Sequence, residues 1–195
     1  TFTPTAGSLT LTVSGTVSDA QLEVGSTPSS YIPNLAASGT VTRSADSTTI
    51  SAGNMPAYTN ALSFQMEGLA TGESSTFAAW TLDANNGIQI TSGASDFTFT
   101  QEAAGVVDSV TGGSYTSGIN VPFNIASRHG DNFINGAVDG TALTASLTPT
   151  ILPDLSATPI QIRPSGGPIY LEEMRIWVES AVDKITDALI EEASA

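Results

Sequence analysis

Cysteine is absent from these 195 residues, so no disulfide and no thiolate chemistry is available. Histidine occurs once, which excludes a multi-histidine metal site within one chain. Positive charge is scarce: five Lys and Arg face nineteen Asp and Glu, a formal net charge of −14. That balance repels phosphate backbones and anionic lipid alike, and it argues against nucleic-acid binding and membrane attachment. Charge of either sign is thin, at 12% of residues, about half the usual share. The surface must therefore be mostly Thr, Ser, Asn, Gln and Gly, with the acidity serving solubility. No apolar run approaches the roughly 18–20 residues of a membrane-spanning helix. No secretory leader pattern is visible, and a start at Thr1 suits a piece of something longer.

What is present is a succession of short runs rich in Thr, Val, Ile and Phe, separated by Gly, Asn, Asp and Pro. Leu9 to Val13, Leu62 to Met66 and Phe97 to Thr100 alternate apolar and polar residues, the mark of half-buried strands. Further strands are expected at Asp19–Val24, Val41–Ile50, Asn120–Ser127, Phe133–Val138, Ala142–Leu147 and Ile160–Arg163. Phe77–Leu82 and Ile88–Thr91 flank Asp83-Ala84-Asn85-Asn86-Gly87, the clearest hairpin signal in the chain. Asn135-Gly136 reads as a second turn. Pro28 and Pro33 make Ser26–Asn34 an extended connector rather than a central strand.

Tyr170 to Val178 reads as the last strand. Strict alternation there sets Tyr170, Glu172, Met174, Ile176 and Val178 on one face and Leu171, Arg175 and Trp177 on the other. Ser180 then suits a helix N-cap, with Asp183 three residues on. Val182, Ile185 and Leu189 continue at helical spacing, which predicts an amphipathic helix over about 181–192. It would pack on the sandwich or assemble with its counterparts. Many short strands and one terminal helix fit an all-β, antiparallel two-sheet sandwich of jelly-roll type.

Ser29-Ser30-Tyr31-Ile32-Pro33, followed by Val41-Thr42-Arg43-Ser44-Ala45-Asp46, resembles the "SYIP…VTRAAD" signature of bacteriophage structural proteins of tail and fibre type. Gln21-Leu22-Glu23-Val24-Gly25 before it is similar to the junction preceding that signature, and Asn124–Arg128, Asn135-Gly136 and Tyr170–Trp177 resemble later strands of the same family. The sequence departs from the family pattern at Asn34 and at Val178-Glu179-Ser180. The resemblance implies a concanavalin A-like, laminin-G-like sandwich over 29–179. It would be preceded by a β arm or domain remnant over 1–28 and followed by a helix and tail over 180–195. It further implies a non-enzymatic component on a virion surface, a fibre, spike or decoration protein; the alternative the same fold allows is a carbohydrate-binding module that recognises a host-surface glycan. The implied partners are other virion proteins, further copies of the chain as a homo-oligomer, and a host-surface glycan. Tyr31, Pro33, Arg43 and Asp46 are then structural, with Tyr31 wedged between sheets and Arg43 holding carbonyls or a carboxylate.

Catalytic patterns are sparse. A glycosidase needs two carboxylates facing across a cleft, yet Glu67, Glu73 and Glu102 stand alone and Glu172-Glu173 would point to opposite faces. A Ser-His-Asp triad would have to use His129, in the polar Arg128-His129-Gly130-Asp131-Asn132 run. That run reads as an exposed turn, and His129, Asp131 and Asn132 as residues that could touch a ligand from a lectin-like loop. No metal and no cofactor is expected. Calcium is the one ion the composition leaves open, through Asp83–Gly87, Asp131, Asn132 or Asp139. For stacking on a sugar, Tyr58 and Tyr115, in Gly-, Asn- and Thr-rich segments, are the expected exposed aromatics. Trp80 reads as core, and Trp177 as facing outward or into an interface.

Overall fold

A computed structural model of the chain describes residues 48–178 apart from 59, 60, 73 and 74, together with isolated positions between 12 and 18. The chain divides into two units, Thr1–Asp46 and Ser47–Ala195, and every element named below belongs to the second. The Tyr31, Pro33, Arg43 and Asp46 signature, the strands expected before residue 48 and the C-terminal helix lie outside the described residues.

The described strands form two antiparallel sheets, as the sequence pattern predicts. The first runs β1 (Thr48–Ile50), β10 (Ile160–Ser165), β3 (Thr76–Asp83), β4 (Asn86–Ser92), β5 (Phe97–Ala103) and β6 (Val106–Gly112). The second runs β11 (Ile169–Val178), β2 (Ala61–Gly72), β7 (Gly118–Gly130), β8 (Phe133–Val138) and β9 (Thr141–Ala142). A single 3₁₀ turn, Ala52–Asn54, is the only helical element among the described residues.

Alternation places the core. On β5, Phe97, Phe99, Gln101 and Ala103 are buried while Thr98, Thr100 and Glu102 are partly exposed. Trp80 pairs across to Ile88, and Ile88 to Gln101, so one inward row runs from apolar to polar toward the β6 edge. In the second sheet, Ile176, Phe64, Ser127 and Gly136 form a facing row, as do Met174, Met66, Ile125 and Val138. Phe77 sits at the centre of an edge-to-face cluster, 5.0 Å from Phe97 and 4.9 Å from Phe123. Each such pair contributes about 0.5–1.5 kcal/mol beyond area burial.

The Asp83–Gly87 hairpin is present, with Ala84-Asn85 as its two-residue tip. Asp83 Oδ1 accepts the Asn85 backbone N–H at 2.7 Å and the Asn86 amide at 3.0 Å. Those bonds, the backbone one foremost, lower the Asp83 pKa. A second hairpin, at Ala104-Gly105, docks onto this one through Ala104 N–H to Asn86 Oδ1 (3.0 Å) and Gly105 N–H to the Asn85 carbonyl (3.0 Å). Ala104 and Gly105 both lie in the left-handed region, at φ 51 and 79, as a tight two-residue β-hairpin requires.

Three expectations from the sequence are corrected. The strand expected at Ala142–Leu147 shrinks to β9, Thr141–Ala142, with Ser146 left as a lone bridge to Ile134. Asn135-Gly136 is not a turn: both residues lie inside β8, and the reversal between β7 and β8 is Asp131-Asn132. Gly136 is needed there because a Cβ would run into the Phe99 ring of the opposite sheet. The faces of β11 also differ. A bulge between Leu171 and Glu173 inserts one residue opposite Gly68, where a Cβ would strike the Tyr170 carbonyl oxygen. Leu171 therefore joins Met174 and Ile176 against the core, and Tyr170 turns outward to 64% exposure.

Gly136→Ala is expected to destabilise the chain by about 1–3 kcal/mol through overpacking. In urea titrations, Phe99→Leu in the same chain should recover part of that loss. Independent, additive effects of the two changes would contradict the contact.

Candidate functional site

A long connector, residues 143–159, joins β9 to β10 and crosses one end of the sandwich. It buries Leu152 and Leu155 and leaves Leu147 and Ile151 exposed. Leu143 and Ser146 still bond to the β8 backbone; beyond Ser146 the connector has no strand ladder and takes hydrogen bonds from side chains. Asp108 Oδ2 accepts the Thr150 N–H at 2.6 Å, and Asp131 Oδ1 accepts the Leu152 N–H at 2.8 Å. Gln101 Nε2 donates to the Thr150 carbonyl at 2.6 Å and to the Gly130 carbonyl of the other sheet at 3.2 Å. The Trp80 indole N–H donates to the Thr158 carbonyl at 3.0 Å. Tyr58 does two tasks: its O–H donates to the Pro153 carbonyl at 2.7 Å, and its oxygen accepts the Leu155 N–H at 2.6 Å.

This strap absorbs residues that the sequence suggests for ligand contact. Tyr58 is half-buried against Trp80, with ring centroids 5.3 Å apart, rather than displayed. Burial pushes its hydroxyl up to about 12, with the Leu155 N–H opposing and the Asp154 charge adding. Asp131 is a pin for the strap. Asn132 alone of that group is exposed, at the tip of the β7–β8 reversal. Asp139, considered for calcium, accepts the Asn124 N–H at 3.1 Å in the tight β8–β9 turn. No group of three or more His, Asp or Glu suited to a metal ion occurs among the described residues.

Tyr115 is not a surface residue either. It is 4% exposed and packs on Phe77 and Phe97, with burial raising its pKa. His129 is likewise not in an exposed turn: it lies within β7, fully buried, with Nε2 3.1 Å from Ser127 Oγ and its ring edge-on to Phe64. The turn falls two residues later because His129 pairs with Leu62 and Ile134 in full register on both sides. Burial lowers its pKa to about 3, so the ring is neutral at ordinary pH.

At the opposite end, Arg163 closes the β10–β11 turn. Its Nε donates to the Gly167 carbonyl (2.9 Å), its Nη2 donates to the Thr71 carbonyl (2.8 Å), and its guanidinium lies 4.6 Å over the Phe77 ring. Both ends of the sandwich are thus tied by internal polar bonds.

Among the described residues, two surface features stand out as open. One is a cleft of about 450 Å³ between Ser109–Thr111 of β6 and Ala142–Ser146, lined by hydroxyls, methyls and Leu143, with no acid or histidine. The other is the outward face of edge strand β11. Tyr170 (64% exposed) and Trp177 (37%) flank Arg175, whose Nε donates to Glu173 Oε1 at 2.8 Å. At about 3.3 Å per residue the positions of Tyr170 and Trp177 along the strand are roughly 20 Å apart. Trp177 fits its sequence reading. Tyr170 was missed because simple alternation places it inward, and only the Gly68 opposite the bulge hints otherwise.

No protein-family model matches the chain, and no curated protein is significantly similar to it. Solved structures do match. Domains LG4-5 of the mouse laminin alpha1 chain align with a TM-score of 0.51 at 11% identity, over 68% of this chain and 38% of that one. The fold is a laminin-G-like sandwich. The binding domain of botulinum neurotoxin serotype G aligns with a TM-score of 0.50 at 9% identity, over 68% and 35%. This chain spans well under half of either chain, and the likeness concerns the fold alone.

Tyr58→Phe leaves the Leu155 N–H and Pro153 carbonyl without their partner. It should cost about 1–3 kcal/mol in urea unfolding, and an unchanged midpoint would show the strap pin to be idle. For His129, the unfolded chain takes up a proton near its ordinary value of about 6.5, whereas the folded chain does not until about 3. Stability is therefore complete above about pH 6.5 and falls as pH drops toward 3, by about 1.4 kcal/mol per unit. His129→Gln should flatten the stability profile between pH 6 and 4 by about that slope. Parallel profiles for the two chains would refute the burial argument.

Proposed function

We propose that this chain is a non-enzymatic attachment and display module on a virion surface, in which a rigid sandwich presents one face to a host-surface glycan. The observation that carries this reading is the outward face of β11, where Tyr170 and Trp177 stand exposed around the Arg175–Glu173 pair while the other candidate aromatics are turned inward. Aromatic faces stack on the apolar side of a sugar ring, and an Arg–carboxylate pair supplies donors and acceptors for hydroxyls. A spacing of roughly 20 Å suits an extended oligosaccharide better than one ring.

Absence of catalysis is favoured by the chemistry of the open surface. The cleft carries no acid or histidine, the histidine is sealed in the core, and Asp108 and Asp131 are committed to the strap. The binding-domain neighbour, a module of a larger toxin, lends support by fold analogy only. Placement on a phage particle rests on the resemblance at Tyr31–Asp46, and the acidic, Thr- and Ser-rich composition is compatible with it.

A glycan array probed with the intact chain tests the reading. Binding to an extended glycan is expected, weakened about tenfold or more by Tyr170→Ala or Trp177→Ala and unchanged by Asn132→Ala. Silence across a broad array, or binding indifferent to both aromatic changes, counts against the β11 face. Immunogold microscopy of particles tests the location, with labelling at a fibre tip or shell expected.

A further inference from the structure

β6 (Val106–Gly112) ends the first sheet, and its outer edge is unusual. It pairs with β5 along its whole length without a register shift, from Ala103↔Val106 to Phe97↔Gly112. No described strand pairs with its other side. Edge strands are normally protected by Lys, Pro, a bulge or brevity. β6 has seven residues, no Lys, no Pro and no bulge. Its outward side chains, Val107, Ser109 and Thr111, are exposed and uncharged. Its single charge, Asp108, is occupied with the Thr150 N–H. Beside it lies the cleft, whose far wall, Ala142–Ser146, directs hydrogen bonds away toward β8 through Leu143 N–H to Gly136 and Ser146 N–H to Ile134.

We propose that β6 pairs antiparallel with β6 of a second copy of this chain across a two-fold axis through Ser109, joining the two first sheets into one. The occupant is a second copy because an antiparallel two-fold lets the free backbone edge of β6 bond to itself without setting like charges opposite one another. With Ser109 opposite Ser109, Val107 faces Thr111 and Asp108 faces Val110, so no carboxylate meets another. The outward pairs are β-branched or small, which suits cross-strand packing. In a chain of net charge −14, copies repel almost everywhere, and this low-charge edge is where backbone bonds can outweigh that repulsion. Pairing fills the cleft and brings cover toward Ile151 and Leu147, exposed at 69% and 71%; the Asp108–Thr150 bond holds Ile151 close to the edge. A two-fold isologous contact is closed and does not propagate. The contact does not rest on the glycan reading.

Sedimentation velocity of the full chain should show a concentration-dependent dimer. Ser109→Lys sets two ammonium groups face to face at a solvent-facing position and should weaken the dimer about tenfold or more. Since the chain has no cysteine, Ser109→Cys introduces one thiol. Opposed residues of an antiparallel pair lie within disulfide reach, so mild oxidation should give a covalent dimer. Gln161→Cys, exposed on β10, which is paired on both sides in the same sheet, should give none. A monomer at every concentration overturns the proposal, as does a dimer insensitive to Ser109→Lys or equal cross-linking of the two cysteine variants. If Ser109→Lys fails to fold, the cysteine pair decides.

Discussion

The structure depends on how a strap that leaves its last strand partner at Ser146 is held across the mouth of the sandwich. Residues 147–159 have no ladder to satisfy their backbone, and a buried unpaired N–H or C=O costs about 1–3 kcal/mol. Five side chains from separate elements supply the bonds: Tyr58 before β2, Trp80 on β3, Gln101 on β5, Asp108 on β6 and Asp131 after β7. Gln101 also reaches the Gly130 carbonyl, so one buried amide links both sheets and the strap. Buried networks of this kind hold one arrangement in place, because each partner lost strands another.

That constraint shapes the surface. Polar residues that might have met a ligand are turned to internal work at one end, and Arg163 does the same at the other. Among the described residues, the aromatic outer face of β11 and the unblunted edge of β6 with its cleft lie open along the two sides of the sandwich. The two lie in different sheets and use different chemistry, ring faces at one and backbone at the other. The glycan contact and the self-pairing proposed for these two surfaces need no moving part.

Much of the fold was legible from alternation and turn chemistry. β5 and the Asp83–Gly87 hairpin are local: side-chain period and Asx bonding decide them without help from the rest of the chain. What was not legible depends on long-range packing. Asn135-Gly136 carries a turn signature, yet Gly136 is required by Phe99 in the opposite sheet. Ala104-Gly105 carries a weak turn signature, yet it makes a tight hairpin because the neighbouring turn offers Asn85 and Asn86 as partners. β6 was overlooked for the same reason: exposed Val106 and Val107 break its alternation. The candidate site was less legible still. Tyr58 and Tyr115 sit among residues that usually mark loops, but a strap and an aromatic cluster cover them, and His129 is buried because the strands extend to Gly130. The bulge that turns Tyr170 outward depends on Gly68, which sits in a different strand.

Native-state hydrogen exchange of the strap amides is the most direct measurement of this account. Thr150, Leu152 and Leu155, bonded to Asp108, Asp131 and Tyr58, should exchange as slowly as core strand amides such as Ile125. Exchange of these three at the rate of the exposed turn amide of Ala84 would show the strap to be loose and contradict the account.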